Sequence, residues 1–258
     1  MSESRQRWRL VFARDEDARY LSHLDATHLW DRAFRRGAIP VATSEGFSPR
    51  PRLIFAAPLP LGWLAEHELA DLYLAEKLTQ ADLRRRLELG MPRGYRVVDF
   101  HDVWLGAPAL APQLAAADYR MTVLGVEVAS LTAAIAALLA ADRLPRQKRR
   151  EDKPVIYDLR PLVLGLLARD STDVVGDLAG SAGTGGPVAG LWMRLRNTQD
   201  EGSGRAEEVV GALADLLTVP SSGPAADVPA PTIALEIVRP VRERLWLDSE
   251  APGAPPSA

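Results

Sequence analysis

Residues 7–13 (Arg-Trp-Arg-Leu-Val-Phe-Ala) alternate polar and apolar side chains, the period of a half-buried strand. Ser22 then opens a helix: its hydroxyl can cap free backbone N–H groups, and Asp25 stands three residues on, at capping-box spacing. Ala26, Leu29, Trp30, Ala33 and Phe34 form one apolar stripe, Arg32, Arg35 and Arg36 fall largely outside it, and Gly37 ends the helix. A loop rich in proline and glycine (residues 43–51) leads to two predicted strands, 52–57 and 68–74. Thr79 caps a second helix through Leu89, and residues 95–101 form another strand.

The order β-α-β-β-α-β is the split βαβ pattern, an antiparallel sheet with two helices on one face. After a linker-like stretch the order returns: strand 119–124, a helix from Ser130 to Ala141, strand 153–157, an apolar segment 162–168, strand 190–196, helix 205–217 and strand 232–239. The reading is therefore an α+β protein of two tandem ferredoxin-like halves. The first covers residues 1–104, a linker 105–118, the second half 119–248, and a disordered tail 249–258 closes the chain. The Gly/Ser-rich residues 170–190 and the stretch 220–231 read as mobile loops.

Composition narrows the chemistry. The 258 residues include no cysteine, which removes disulfides, thiolate-held zinc, iron–sulfur clusters and thiol nucleophiles. The four histidines have no metal-ligand spacing, so neither a metal nor a cofactor is expected. The net charge of −3 is uneven: residues 1–100 carry 16 Lys and Arg against 14 Asp and Glu, and the remainder 15 against 20. The N-terminus lacks the apolar core of a signal peptide, and residues 123–141, interrupted by Glu127, read as a buried helix, so a cytoplasmic protein with no membrane partner is expected.

Four segments invite functional readings. Ser22-His23-Leu24-Asp25 contains the residue types of a catalytic triad, but neighbours in one helical turn diverge, and the cap reading is preferred. The alternative places His23 and the helix N-terminus at a groove, where an anion is favoured. In the bend 46–52, Phe47 beside Arg50 and Arg52 suits base stacking with phosphate contact, or equally a buried phenylalanine beside solvated arginines. The basic run 146–150 reads as a solvated loop, with Arg194, Arg196 and Arg205 as further anion-binding candidates. The glycine-rich stretch 180–186 lacks the Gly-Lys-Ser/Thr ending of a phosphate loop and is rejected as a nucleotide site.

Tyr20-Leu-Ser-His-Leu-Asp25, Arg32-Ala-Phe-Arg-Arg-Gly37, Pro40, Ser44-Glu-Gly-Phe-Ser-Pro-Arg-Pro51 and Ala57-Pro-Leu-Pro-Leu-Gly62 together resemble the radical-SAM-linked protein family. This bacterial domain of unknown function stands beside, or is fused C-terminally to, cobalamin-binding radical SAM proteins. Weaker echoes are Tyr157-Asp-Leu-Arg-Pro161 and Gly204-Arg205-Ala-Glu207, where Ala206 replaces an expected proline. The resemblance implies a stand-alone accessory protein partnered by a radical SAM enzyme, since the chain lacks cluster-binding cysteines. It carries over Ser22, His23, Asp25, Arg32, Ser44, Gly46, Phe47, Pro49 and Arg50, with Asp158, Arg160 and Arg205 less securely.

The leading expectation is an RNA-binding module for tRNA or rRNA modification, with a site formed by Ser22, His23, Arg32, Ser44, Phe47, Arg50, Arg52, Arg160 and Arg205. Two alternatives stand beside it: a protein-interaction subunit docking the radical SAM enzyme, and a metal-free RNA endonuclease using His23 with Asp25.

Overall fold

The computed structural model describes residues 4–44, 49–150, 153–170, 186–217 and 235–250. Its elements are β1 (Gln6–Arg14), α1 (His23–Arg36), β2 (Leu53–Phe55), β3 (Leu64–Leu74), α2 (Gln80–Gly90) and β4 (Tyr95–Val103), then β5 (Leu114–Leu124), α3 (Val128–Ala140), β6 (Pro145–Arg150), β7 (Lys153–Asp158), β8 (Val163–Arg169), β9 (Val188–Thr198), β10 (Gly202–Ser203), α4 (Ala206–Leu217) and β11 (Glu236–Leu247). The protein is thus mixed α/β, with mostly antiparallel strands and four helices among the described residues. The chain divides into two units. The first is Met1–Leu114 with Val241–Glu250, and the second is Ala115–Pro240 with Ala251–Ala258.

In the first unit β1 is central, pairing antiparallel with β3 and with the terminal strand β4. β2 pairs antiparallel with Ala70–Leu72 of β3. The C-terminal end of β11 pairs parallel with the start of β3, Val241 opposite Leu64 and Arg244 opposite His67. The alternation read in the sequence sets the two faces of β1, but the strand is not half-buried, because Arg7 and Arg9 on its polar face are buried too. Trp8, Leu10 and Phe12 of β1 bury one face with Ala70, Leu72 and Leu74, and Trp30, Phe34, Leu83 and Leu87 of the helices close over it. Phe12, Phe34 and Tyr95 all pack around Trp30 with ring centroids 5.3–5.6 Å apart. Such ring pairs add about 0.5–1.5 kcal/mol each beyond area burial.

Both helices start as their sequences predict. Ser22 Oγ accepts from the Asp25 N–H at 3.2 Å, and Thr79 Oγ1 accepts from the Asp82 N–H at 3.1 Å. At their other ends α1 and α2 approach closely. A methyl group on Gly90 would collide with the carbonyl oxygen of Ala33, and one on Gly37 with the carbonyl oxygen of Arg86. The Arg36 guanidinium donates to the Gly90 carbonyl at 3.0 Å. Glycine here is a matter of space, not of backbone angle, since Gly37 has φ −75°.

The second unit keeps the expected strands and helices in order but shifts several bounds and adds β6, β8 and β10. β5 begins at Leu114, inside the expected linker, after a 3-10 turn at Ala111–Gln113. Its alanines are weak strand formers and hid it, but Ala116 and Ala117 pair with Arg196 and Leu195 of β9. α3 starts at Val128 after Glu127 rather than at Ser130, without a side-chain cap bond. The basic run 146–150 is a strand, β6, forming a hairpin with β7 instead of a loop. The apolar segment 162–168 becomes a short 3-10 turn and β8, which pairs with β9. The closing strand runs to Leu247, and its end from Val241 clusters with the first unit. The expected loops 170–190 and 220–231 and the tail lie largely or wholly outside the described residues.

Gly90→Ala should lower stability by about 1–3 kcal/mol, the usual cost of overpacking a close contact. Urea denaturation checks it; an unchanged midpoint would mean the helix ends are not held at this distance.

Candidate functional surface

The proline-rich motif at residues 57–62 is built by arginines from distant parts of the chain. Pro58 and Pro60 have no N–H to place in a ladder, which leaves this segment's carbonyls without regular partners. Arg14, buried at the end of β1, donates to Pro60 O at 2.9 Å and through Nε to Trp63 O at 3.1 Å. Arg19 Nε donates to Gly62 O at 2.7 Å, and the Gly62 N–H returns a bond to Arg19 O. Arg242 of β11 donates to Pro58 O at 3.0 Å and holds buried Glu68 through two hydrogen bonds, the Nε one at 2.6 Å. Three guanidinium groups thus fix the loop beside the first turn of α1.

The result is a narrow pocket of about 30 Å³, room for about one water molecule, with His23, Arg14, Phe55, Leu59, Glu68 and Tyr95 among its walls. His23 is exposed, and its ring meets the edge of Phe55 at 5.4 Å between centroids. The Ser22 hydroxyl donates to Asp25 Oδ2 at 2.6 Å and not to His23, so Ser22 and Asp25 form the cap and the triad arrangement is absent. Burial pushes the Tyr95 phenol above its ordinary range, and the charge and hydrogen bond of Arg14 act against that shift. Burial likewise lowers Arg14, opposed chiefly by Tyr95.

The other expected site residues lie on several elements of the two units. Arg32 is exposed along a groove on α1 that it shares with Asp25 and His28. Ser44 and Arg50 bond to each other, Ser44 N–H to Arg50 O at 2.8 Å and Arg50 N–H to Ser44 Oγ at 3.0 Å, closing the base of the bend. Arg52 donates to Ser4 Oγ and lies 4.1 Å over the Tyr73 ring. Neither Arg50 nor Arg52 lines the His23 pocket. Phe47 lies outside the described residues. In the second unit Arg160 staples backbone, donating to Leu139 O at 3.0 Å and Val163 O at 3.1 Å. Arg205 is exposed ahead of α4. Arg146 pairs with Asp215 at 2.6 Å, and Arg194 forms a buried two-pronged pair with Asp118 at 2.6 and 2.7 Å.

What sequence reasoning missed is the helix layer of the first unit. Residues 23–36 and 80–96 carry eight arginines against four acids, in a chain of net charge −3. Seven of the eight are exposed. Some are neutralised in place: Arg35 by Asp31, Arg85 by Asp82, Arg93 by Asp17. Arg84 and Arg96 make no ion pair with any described residue. The triple Arg84-Arg85-Arg86 is the sequence signal for this layer. Among the described residues no group of three or more His, Asp or Glu is placed to hold a metal. No described helix is long and apolar enough to cross a membrane.

These features define a two-unit α/β protein whose first unit presents an arginine-rich helix layer. The chain belongs to DUF2344, the family described as an uncharacterised protein conserved in bacteria, whose model matches residues 7–187. No curated protein matches it. A crystal structure of an unknown protein from Galdieria sulphuraria is similar at 15% identity over 82% of this chain and 91% of that one. Its TM-score of 0.24 is too low to carry an argument.

Removing Arg242 with Arg242→Met leaves Glu68 buried and unpaired, and should cost about 3–5 kcal/mol. Adding Glu68→Met should return most of that loss. Denaturant midpoints of the two variants test this, and equal destabilisation in both would show that packing, not charge, dominates.

Proposed function

We propose that this protein is an accessory RNA-binding module that acts in the cytoplasm beside a radical SAM enzyme, in tRNA or rRNA modification. The association rests on the motif resemblance, from Tyr20–Asp25 to Ala57–Gly62. The RNA reading is carried by one observation: the concentration of exposed arginines on α1, α2 and the start of β4. Phosphate backbones bind through such charge, with little demand on sequence. In this reading Arg32 and the α2 arginines hold the backbone, and His23 offers an exposed ring packed edge-on against Phe55 rather than a catalytic base. A general base oriented by a carboxylate is not formed there, since Asp25 bonds to Ser22.

The two units are read as divergent copies of one ferredoxin-like layout. β1–β3–β2 and β5–β9–β8 pair in the same pattern, each with a helix after its first and its third strand, and β6–β7 is an insertion in the second. A buried cross-strand pair at matching places supports this: Arg9 opposite Asp71, and Asp118 opposite Arg194.

One observation favours protein docking as a second reading. Tyr20, Leu24 and Leu61 expose 51–71% of their surface around the start of α1.

Filter binding of total tRNA and rRNA at about 50 and about 200 mM salt tests the first reading. About four phosphate contacts to single-stranded regions should weaken binding roughly 50-fold between the two. No retention at the lower salt would end it, and copurification of a radical SAM enzyme with nuclease-treated protein would favour docking instead.

A further inference from the structure

The pairing of β1 with β4 slips between Val11 and Phe12: Val11 faces Asp99, but Phe12 faces Val97, so Val98 is an extra residue on β4. Such a bulge re-aims side chains. Here it brings Tyr95, Val97 and Phe100 to the same side of β4, opposite Arg14, Phe12 and Leu10. That side faces α2, and a pocket of about 170 Å³ opens between them. Leu87, Met91, Val97 and Phe100 make its apolar floor. Arg84, Glu88 and Arg96 stand exposed at its rim, with the Arg84 guanidinium 4.8 Å over the Phe100 ring.

Three features limit what fits. Two cations without ion-pair partners among the described residues call for an anion. The floor calls for an apolar or aromatic body, because bare phosphate gains nothing from Met91 or Val97. The single carboxylate at the rim, Glu88, accepts a hydrogen bond from a ring or exocyclic N–H. An extended peptide adding to β4 is disfavoured, since the bulge and the charges at Arg96, Asp99 and Asp102 blunt that edge.

We infer that this α2–β4 pocket is a single-nucleotide subsite of the RNA surface: one unstacked base enters over Val97 and Phe100, Arg84 and Arg96 hold its flanking phosphates, and Glu88 accepts from the base's N–H edge. The inference rests on the RNA-binding reading and adds the place where a base is gripped. Base insertion against apolar and aromatic side chains, with arginine at the backbone, is how single strands are held without strict sequence demand.

The test uses the full chain and a fluorescently labelled single-stranded RNA about a dozen nucleotides long, with anisotropy followed across several salt concentrations. The double variant Arg84→Gln/Arg96→Gln is compared with Arg35→Gln, which removes an exposed arginine outside the pocket. Both variants change exposed side chains, so their thermal melts should match the parent protein. The double variant is expected to bind about tenfold or more weakly and to flatten the salt slope by about 1.4, as two lost single-strand phosphate contacts require. Arg35→Gln should stay within about twofold, a bystander's effect. RNA carrying 5-bromouridine, irradiated with the parent protein, should cross-link to the peptide holding Tyr95–Phe100. If the parent binds RNA but the double variant binds equally with the same slope, or cross-links map only to other peptides, the subsite is wrong and the RNA reading survives. If the parent binds no RNA at low salt, both fall together.

Discussion

Four arginines lie buried in the first unit, Arg7, Arg9, Arg14 and Arg242, and each must be matched where water does not reach. Asp71 serves two of them, with Arg7 Nε at 3.1 Å and Arg9 Nε at 2.9 Å, while Arg7 also donates to the carbonyls of Ala107 and Pro108 at 2.8 Å. Glu68 serves Arg242, and loop carbonyls serve Arg14. These contacts hold in place the segments that have no ladder of their own, residues 57–63 and 107–108. They also settle which arginines remain for a ligand. With the sheet's own cations consumed by Asp71, Glu68 and peptide oxygens, the exposed arginines of the unit are concentrated on the two helices and the residues up to the start of β4.

The helix layer depends on the same economy of space. Gly37 and Gly90 let the ends of α1 and α2 approach to backbone contact, and Arg36 caps Gly90 across the junction. The arginines of both helices are thereby presented side by side. On the sheet side of α2, the bulge at Val98 puts Phe100 on the same side of β4 as Tyr95 and Val97, so that cation and aromatic floor meet in one pocket.

Much of the first unit was legible in the chain. β1 alternates cleanly, Ser22 and Thr79 announce their helices, and the order through β4 follows from hydrophobic period and turn residues. The second unit was less so, for physical reasons. β5 starts in an alanine-rich run whose strand form depends on pairing with β9, and β6 is a charged strand stabilised by its hairpin partner. The site was half legible. The Ser22–Asp25 cap and the exposed His23 follow from local rules. Two things do not: that Arg14, Arg19 and Arg242 converge on the 57–63 loop, and that Arg52 turns to Ser4 and Tyr73 instead of a groove with His23. Contacts across such sequence separations are set by strand register, which no local pattern carries.

The account's central claim is that nucleic acid meets this protein on the helix layer of the first unit. Amide hydrogen exchange of the full chain, with and without saturating tRNA, reads that face directly. The account predicts slowed exchange in residues 80–97, extending into 23–36, with little change in β8 and β9. Slowing confined to the second unit, for example to the β6–β7 hairpin, or no change in any segment, would contradict it.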